Sequence, residues 1–292
     1  MNKLTLLLIV MVTAATVAPR QAAAQQYFEI GAMGGDMPYN GDLSDPGAGF
    51  LKDFNAFAGL YLRYRPISRV GLRLNSIFGR IAAERDANVR VPGTDQRTTI
   101  TRNFRSRIQE FSLAAEVDLF YLGDPEDRFV APYLMVGIGR TAFNPQGQLD
   151  GVYYDLQPLK TEAQGLRNGA YDYDAAPYSL NITTYHLGGG VRAKLGERIV
   201  IGGEVSGRIT GTDYLDDVSG QRVNYLDVLR NGPSSLSGRF SNPAVAPDVE
   251  VPSDFNYRRG GDSDDFYFLI NLTVGIRLGG WGGGGGRGCY SF

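Results

Sequence analysis

Asp265-Phe266-Tyr267-Phe268-Leu269-Ile270-Asn271-Leu272-Thr273-Val274-Gly275-Ile276-Arg277-Leu278 decides the fold. Every second residue from Phe266 to Leu278 is apolar: Phe266, Phe268, Ile270, Leu272, Val274, Ile276, Leu278. The residues between them, Tyr267, Leu269, Asn271, Thr273, Gly275 and Arg277, are mostly small or polar. Strict alternation over this length is the mark of a strand with one apolar and one wetter face. Soluble strands run to about 5–6 residues, whereas a strand that crosses a membrane needs roughly 9–11. This stretch is long enough to cross.

Similar stretches recur upstream. Phe28, Ile30 and Ala32 alternate with Tyr27, Glu29 and Gly31. Ala56, Ala58, Leu60, Leu62 and Tyr64 alternate with Phe57, Gly59, Tyr61, Arg63 and Arg65. Val70, Leu72, Leu74 and Phe78 oppose Gly71, Arg73 and Asn75. Phe111, Leu113, Ala115, Val117, Leu119 and Tyr121 oppose Glu110, Ser112, Ala114, Glu116 and Asp118. Val130, Pro132, Leu134, Val136 and Ile138 oppose Tyr133, Met135, Gly137 and Gly139, although a proline withholds a ladder donor and blurs that boundary. Tyr185, Leu187, Val191, Ala193 and Leu195 oppose His186, Gly188, Gly190, Arg192 and Lys194. Ile201, Val205 and Ile209 oppose Glu204, Ser206 and Arg208.

With the final stretch, these make eight strands. Short turns at Pro66–Arg69, Gly123–Arg128 and Gly196–Arg198 alternate with long connections at about 36–53, 82–105, 144–181 and 211–264. That asymmetry predicts an all-β, eight-stranded antiparallel transmembrane β-barrel, with short periplasmic turns and long extracellular loops. A soluble sandwich is the competing architecture.

The N-terminus carries Lys3, an apolar run from Leu4 to Ala18 and small residues Ala22-Ala23-Ala24. This reads as a signal peptide over residues 1–24, and so as export to the cell outer membrane. Residues 25–278 form the barrel. Residues 279–292 read as a flexible glycine-rich periplasmic tail, an inert extension or part of the signal for barrel assembly, with docking through Trp281, Arg287, Tyr290 and Phe292 as the alternative.

Composition narrows the function. A net charge of -2 gives no electrostatic footprint for nucleic acid. Cys289 stands alone, so neither an intrachain disulfide nor a cysteine zinc site is expected. His186 is the only histidine and no G-x-S-x-G elbow accompanies it, so no catalytic residues are assigned. Thr212 to Ser219 holds three carboxylates at a spacing unlike an EF-hand; a turn or short capped helix is expected there, a cation site being the alternative. The run Gly282–Gly286 lacks the Lys-Ser/Thr of a phosphate loop. No cofactor and no metal are expected.

The inward positions collect opposite charges: Glu29, Glu110, Glu116, Asp118 and Glu204 against Arg63, Arg65, Arg73, Arg192, Lys194, Arg208 and Arg277. An eight-stranded barrel is only just wide enough for its side chains, so these charges must pair. A structural network that plugs the lumen is expected, with a narrow path for ions or small solutes as the alternative.

Several motifs resemble the outer-membrane barrels of Bacteroidetes that include PorG: Tyr27-Phe28-Glu29-Ile30-Gly31, Tyr39-Asn40-Gly41-Asp42, Ala131-Pro132-Tyr133, Phe143-Asn144-Pro145, Leu156 to Leu166, and above all Thr212-Asp213-Tyr214-Leu215-Asp216-Asp217-Val218-Ser219. The resemblance implies a non-catalytic anchoring component of a type IX secretion complex. Its partners would be outer-membrane lipid and periplasmic ring proteins of the PorK/PorN kind, with the barrel itself monomeric within the complex. The extended fourth loop and the Gly282–Gly286 run depart from that pattern.

Overall fold

The computed structural model describes residues 26–92, 96–125, 127–245 and 250–278. The expected signal peptide and the glycine-rich tail lie outside the described residues. Eight long strands form the wall: β1 (Tyr27–Asp36), β2 (Ala56–Arg65), β3 (Val70–Arg90), β4 (Arg97–Asp118), β5 (Phe129–Leu149), β6 (Asn181–Leu195), β7 (Ile199–Ile209) and β8 (Phe266–Leu278). Each pairs antiparallel with the next in sequence, and β1 pairs with β8 from Phe28 opposite Leu278 to Asp36 opposite Ile270. The sheet therefore closes on itself, leaving no edge between first and last strand.

The faces follow the alternation. Leu272 is 73 % exposed, Phe111 69 %, and Leu60 and Leu187 64 % each, while the inward Glu116 and Arg73 are almost wholly buried. An apolar belt of this extent around a charged interior inverts the arrangement of a soluble protein, and lipid is the solvent that satisfies it. The chain is a transmembrane β-barrel, and the sandwich alternative falls. Pro132 sits inside β5 opposite Val191 and faces outward.

Two of the expected loops are partly wall. The region 82–105 is not an irregular loop: β3 runs to Arg90, β4 begins at Arg97, and the two stay in register up to Arg90 opposite Arg97. Likewise β5 continues past Asn144 to Leu149 and folds back against a short strand, Val152–Asp155. With 21 or 22 residues, each of these strands spans roughly 70 Å at 3.3 Å per residue, far more than a bilayer core requires. Above the belt their inner face stays apolar, with Ile81, Ala83, Ile100, Phe104 and Phe143 buried. Their outer face turns polar because water replaces lipid.

The long connections pack onto this raised wall. The two-residue strand Tyr39–Asn40 adds to β8. The fourth connection contains α1 (Tyr225–Asn231) and α2 (Ser235–Ser241), plus a two-stranded ribbon of Arg222–Asn224 and Asn256–Arg258. Asn224 caps α1 by accepting from the amides of Leu226 and Asp227, and Ser234 caps α2 through Leu236. Val223 and Val228 meet Ala163 and Tyr173 of the third connection in a small separate core. Among the described residues no helix is long and apolar enough to cross a membrane.

Leu272→Arg puts a charge near the middle of β8 on the lipid side. It should cost about 2–4 kcal/mol if that position lies at the bilayer midplane. The expected result is a reduced fraction of inserted, heat-resistant barrel on gels. Unchanged insertion would refute the face assignment.

Candidate functional site: the charged lumen and its cap

The lumen is filled by a chain of ion pairs that begins at the turn end. Arg65 and Arg192 both bind Asp118, and Arg65 also donates to the Ser68 carbonyl at 2.9 Å. Arg192 reaches on to Glu116 at 2.9 Å. Glu116 then receives two more guanidiniums, Arg63 at 2.8 Å and Arg73 at 3.1 Å. Arg63 binds Glu29 as well, and the Tyr61 hydroxyl donates to the same Glu29 oxygen at 2.8 Å. Arg73 forks onto both oxygens of Glu204, at 2.7 and 3.0 Å. The Tyr133 hydroxyl adds a bond of 2.7 Å to Glu204.

Above this hub lies a second group. Arg208 binds Glu110 at 3.1 Å, Tyr267 donates to Glu110 at 2.9 Å, and Arg208 reaches Ser206 at 2.7 Å. His186 is buried here, 3.1 Å from the Thr184 hydroxyl and 3.6 Å from Glu110. Lys194 is also buried on the inner wall. Guanidiniums lie over aromatic faces, Arg63 at 4.9 Å from the Tyr61 ring centre and Arg192 at 4.7 Å from that of Tyr133. Glycine makes room for this layer: a Cβ at Gly31 or Gly275 would strike Tyr61.

The structure thus brings Glu29, Arg63, Arg65, Arg73, Glu110, Glu116, Asp118, Arg192, Glu204 and Arg208 into connected pairs. Arg277 is a correction to the expected network. It lies at the turn-end mouth, 4.1 Å over the Tyr27 ring and 5.0 Å over Phe129, with no ion pair among the described residues. Register sets it directly opposite Glu29, but that carboxylate is taken by Arg63 and the Tyr61 hydroxyl.

Toward the long-loop end the lumen becomes apolar. Met33, Met37, Phe57, Ile77, Ile81, Phe104, Ile108, Phe143 and Leu269 pack together, and Leu215 and Val218 of the fourth connection join them from above. The segment that holds these two, Thr212–Ser219, is a turn; Asp216 and Asp217 are spent on protein partners, while Asp213 accepts from the Gly220 amide at 3.3 Å and its other oxygen has no hydrogen-bond partner among the described residues. Asp216 accepts from the amides of Leu43 and Val218. Asp217 accepts from Tyr178 at 2.7 Å and pairs with Arg259 at 3.2 Å. Arg259 also binds the Thr161 hydroxyl at 2.6 Å and Glu162 at 3.5 Å, so it ties the third connection to the fourth. Among the described residues no group of His, Cys, Asp and Glu side chains is arranged to hold a metal ion.

Tyr39 reveals a proton in the cap. Its hydroxyl lies 2.8 Å from an oxygen of Asp216 and 2.8 Å from an oxygen of Asp265. One hydroxyl hydrogen cannot serve two carboxylates, so one of the acids must carry a proton and donate it to Tyr39. Burial, the main cause, pushes Asp216 up to about 8, and it raises Asp265 as well. Burial also takes Glu162 up to about 7, against the pull of Arg259. No local pattern in the sequence marks Glu162, Arg259, Tyr39 or Asp265, because each finds its partners far away in the chain.

Two outcomes follow from this geometry. Arg73→Ala leaves Glu116 with Arg63 and Arg192 but strands Glu204 in a buried site with no guanidinium, and should cost about 3–5 kcal/mol in denaturant unfolding. Adding Glu204→Gln should recover part of that loss, since the acid left without its guanidinium is then neutral. For the cap, acids with raised folded-state values hold protons that the unfolded chain releases above about pH 4. Cap stability should therefore fall as pH rises toward about 8. Protease should cut the third and fourth connections faster at pH 9 than at pH 6 while the barrel stays heat-resistant. Asp216→Asn should weaken that dependence.

The family profile described as "Domain of unknown function (DUF6089)" matches residues 3–235. No curated protein matches the chain. Among solved structures, the N-terminal β-barrel domain of Pseudomonas aeruginosa OprF shares 12 % identity, covers 87 % of this chain and 98 % of its own, and has a TM-score of 0.35. Neisserial surface protein A shares 11 % over 86 % of this chain and 97 % of its own, at a TM-score of 0.39. The outer membrane protein OprG of Pseudomonas aeruginosa shares 13 %, over 88 % and 97 %, at 0.36. Likeness at this level says nothing of function. The family match spans most of the sequence, and the chain belongs to the DUF6089 family.

Proposed function

We propose that the protein is a non-catalytic, sealed outer-membrane barrel that anchors a larger complex, a structural component of a type IX secretion assembly. One observation carries the sealed reading. The inner wall is filled from Arg65 at the turn end to Ile81 and Phe104 at the loop end, all of them almost fully buried. A barrel filled by paired charges and stoppered by apolar side chains acts through its surfaces. The asymmetry of short turns and long connections supports placing the turns in the periplasm and the cap outside the cell. The type IX assignment rests on the motif resemblance, Thr212–Ser219 foremost.

An anchor needs a periplasmic contact surface. Ile67 and Phe120 project from the short turns and are 45 % and 49 % exposed, apolar groups that a partner would cover. The tail with Trp281, Tyr290 and Phe292 is the second candidate. The alternative function, a narrow channel for ions or small solutes, draws on the charged layers between Asp118 and Glu110.

Purified wild-type barrel in a planar bilayer should pass no steady current. A stable, selective conductance would transfer the assignment to the channel. Affinity purification from native membranes should recover periplasmic ring proteins of the PorK/PorN kind, and their absence with an intact barrel would remove the type IX role. Ile67→Ser with Phe120→Ser, compared with Trp281→Ser and Tyr290→Ser, should show which surface holds them: the variant that loses the partners marks the contact.

A further inference from the structure

The outer wall changes character abruptly at the upper edge of the apolar belt. On β3 the outward series Leu72, Leu74 and Phe78 is followed at the next upward positions by Arg80. On β5 the outward Ile138 is followed by Arg140. On β4, read in the same direction, Leu113 and Phe111 are followed by Gln109, Arg107 and Arg105. These three strands are neighbours, and the register sets Arg80 directly opposite Arg107.

Like charges placed opposite each other across strands repel. Among the described residues nothing offsets this pair. Arg80 and Arg107 are exposed, with no hydrogen bond or ion pair among the described residues. Arg140 donates only to the Thr183 hydroxyl, at 3.0 Å. Arg105 donates to Gln146 at 2.9 Å and lies over the Tyr153 ring. Asp155, on the short strand that folds back against β5, is taken by the amides of Asn144 and Gln146. On β3 the acids Glu84 and Asp86 stand farther up, opposite Asn103 and Thr101. The turn end differs: there Arg69, Arg128 and Arg198 are mixed with Asp127 and Glu197.

The cluster is thus single-signed and borders the hydrocarbon at the cap end. Guanidiniums suit phosphate, which they bind through two parallel hydrogen bonds. We propose that Arg80, Arg107 and Arg140 form a docking surface for the phosphate groups of the phosphorylated glycolipid in the outer leaflet. The inference rests on the outward orientation of the cap given above. It explains why two arginines face each other without a protein counter-charge: the counter-charge is a lipid headgroup. The bound glycolipid would brace the part of the wall from which the β3–β4 hairpin rises.

The test uses the folded full-length barrel in detergent, incubated with equal amounts of bisphosphorylated lipid A, its dephosphorylated form and phosphatidylglycerol. Native mass spectrometry then counts retained lipid. Wild-type protein should retain the bisphosphorylated form over both others, and excess inorganic phosphate should not displace it. R80Q/R107Q/R140Q should lose about tenfold or more of that retention, at roughly a severalfold loss per surface arginine, with unchanged heat-resistant migration. A turn-end control, R69Q/R128Q/R198Q, should retain as much as wild type. Equal retention by the rim variant, equal binding of dephosphorylated lipid, displacement by inorganic phosphate, or an equal loss in the turn-end control would each overturn the proposal. A conductance in planar bilayers would sink the sealed-anchor reading and leave this one standing. A preference for phosphatidylglycerol over lipid A would sink this one alone.

Discussion

Glu116 is the point on which the interior depends. Three guanidiniums converge on it from three other strands: Arg63 of β2, Arg73 of β3 and Arg192 of β6. Each of those arginines has a second carboxylate, so the charge on Glu116 is shared out to Glu29, Glu204 and Asp118. A buried ion is tolerable only when its partners are in place, and here every partner comes from a different part of the chain. Closing the barrel and satisfying Glu116 are one event. Before β6 docks, Glu116 lacks Arg192, and before β7 docks, Arg73 lacks Glu204.

The solvent outside the wall sets the rest. From Leu278 at the turn end up to Phe266, outward side chains meet hydrocarbon and are apolar. Beyond Phe78 and Ile138 they meet headgroups and water, and arginine appears. The backbone does not register this change, because the antiparallel ladder between β3 and β4 continues past it. Inside, the order is reversed: charges fill the part of the lumen that lipid surrounds, and apolar side chains fill the part that rises into water. The raised wall thus becomes a platform with a greasy inner face, and the third and fourth connections cover it. Arg259 and the shared proton at Tyr39 then fasten those connections to each other and to β8.

Much of the barrel was legible in the sequence because a strand shows its two faces as parity. Phe266 to Leu278 gives the lipid side of β8 residue by residue, and the same parity sends Arg73, Glu116 and Glu204 inward. Parity carries no information about who meets whom. Arg73 and Glu204 are 131 residues apart, and their contact depends on register and closure across several strands. The β3–β4 hairpin escaped detection for a different reason: once the outward face turns polar at Arg80, alternation of apolar with polar gives way to charged residues on both sides. Ile81, Ala83, Ile100, Phe104 and Ile108 alone keep a trace of the period. The cap was illegible because Tyr39, Glu162, Asp216, Arg259 and Asp265 meet through long-range contacts between irregular segments.

That the lumen is charged rather than greasy bears on how the chain finds its register. Replacing buried ion pairs by well-packed apolar residues is often neutral or stabilising, so stability alone does not call for this network. Register does. A slip of one residue in any strand turns its whole inward set outward. On β4 the slip would present Glu110, Glu116 and Asp118 to hydrocarbon, and on β6 it would present Arg192 and Lys194. For arginine or lysine at the midplane the penalty is about 2–4 kcal/mol each. An all-apolar interior would impose no such penalty, since either face could then meet lipid. The charges that seal the barrel also leave it only one way to insert: the surface meant for lipid has none of them, and the lumen is the only place where they find partners.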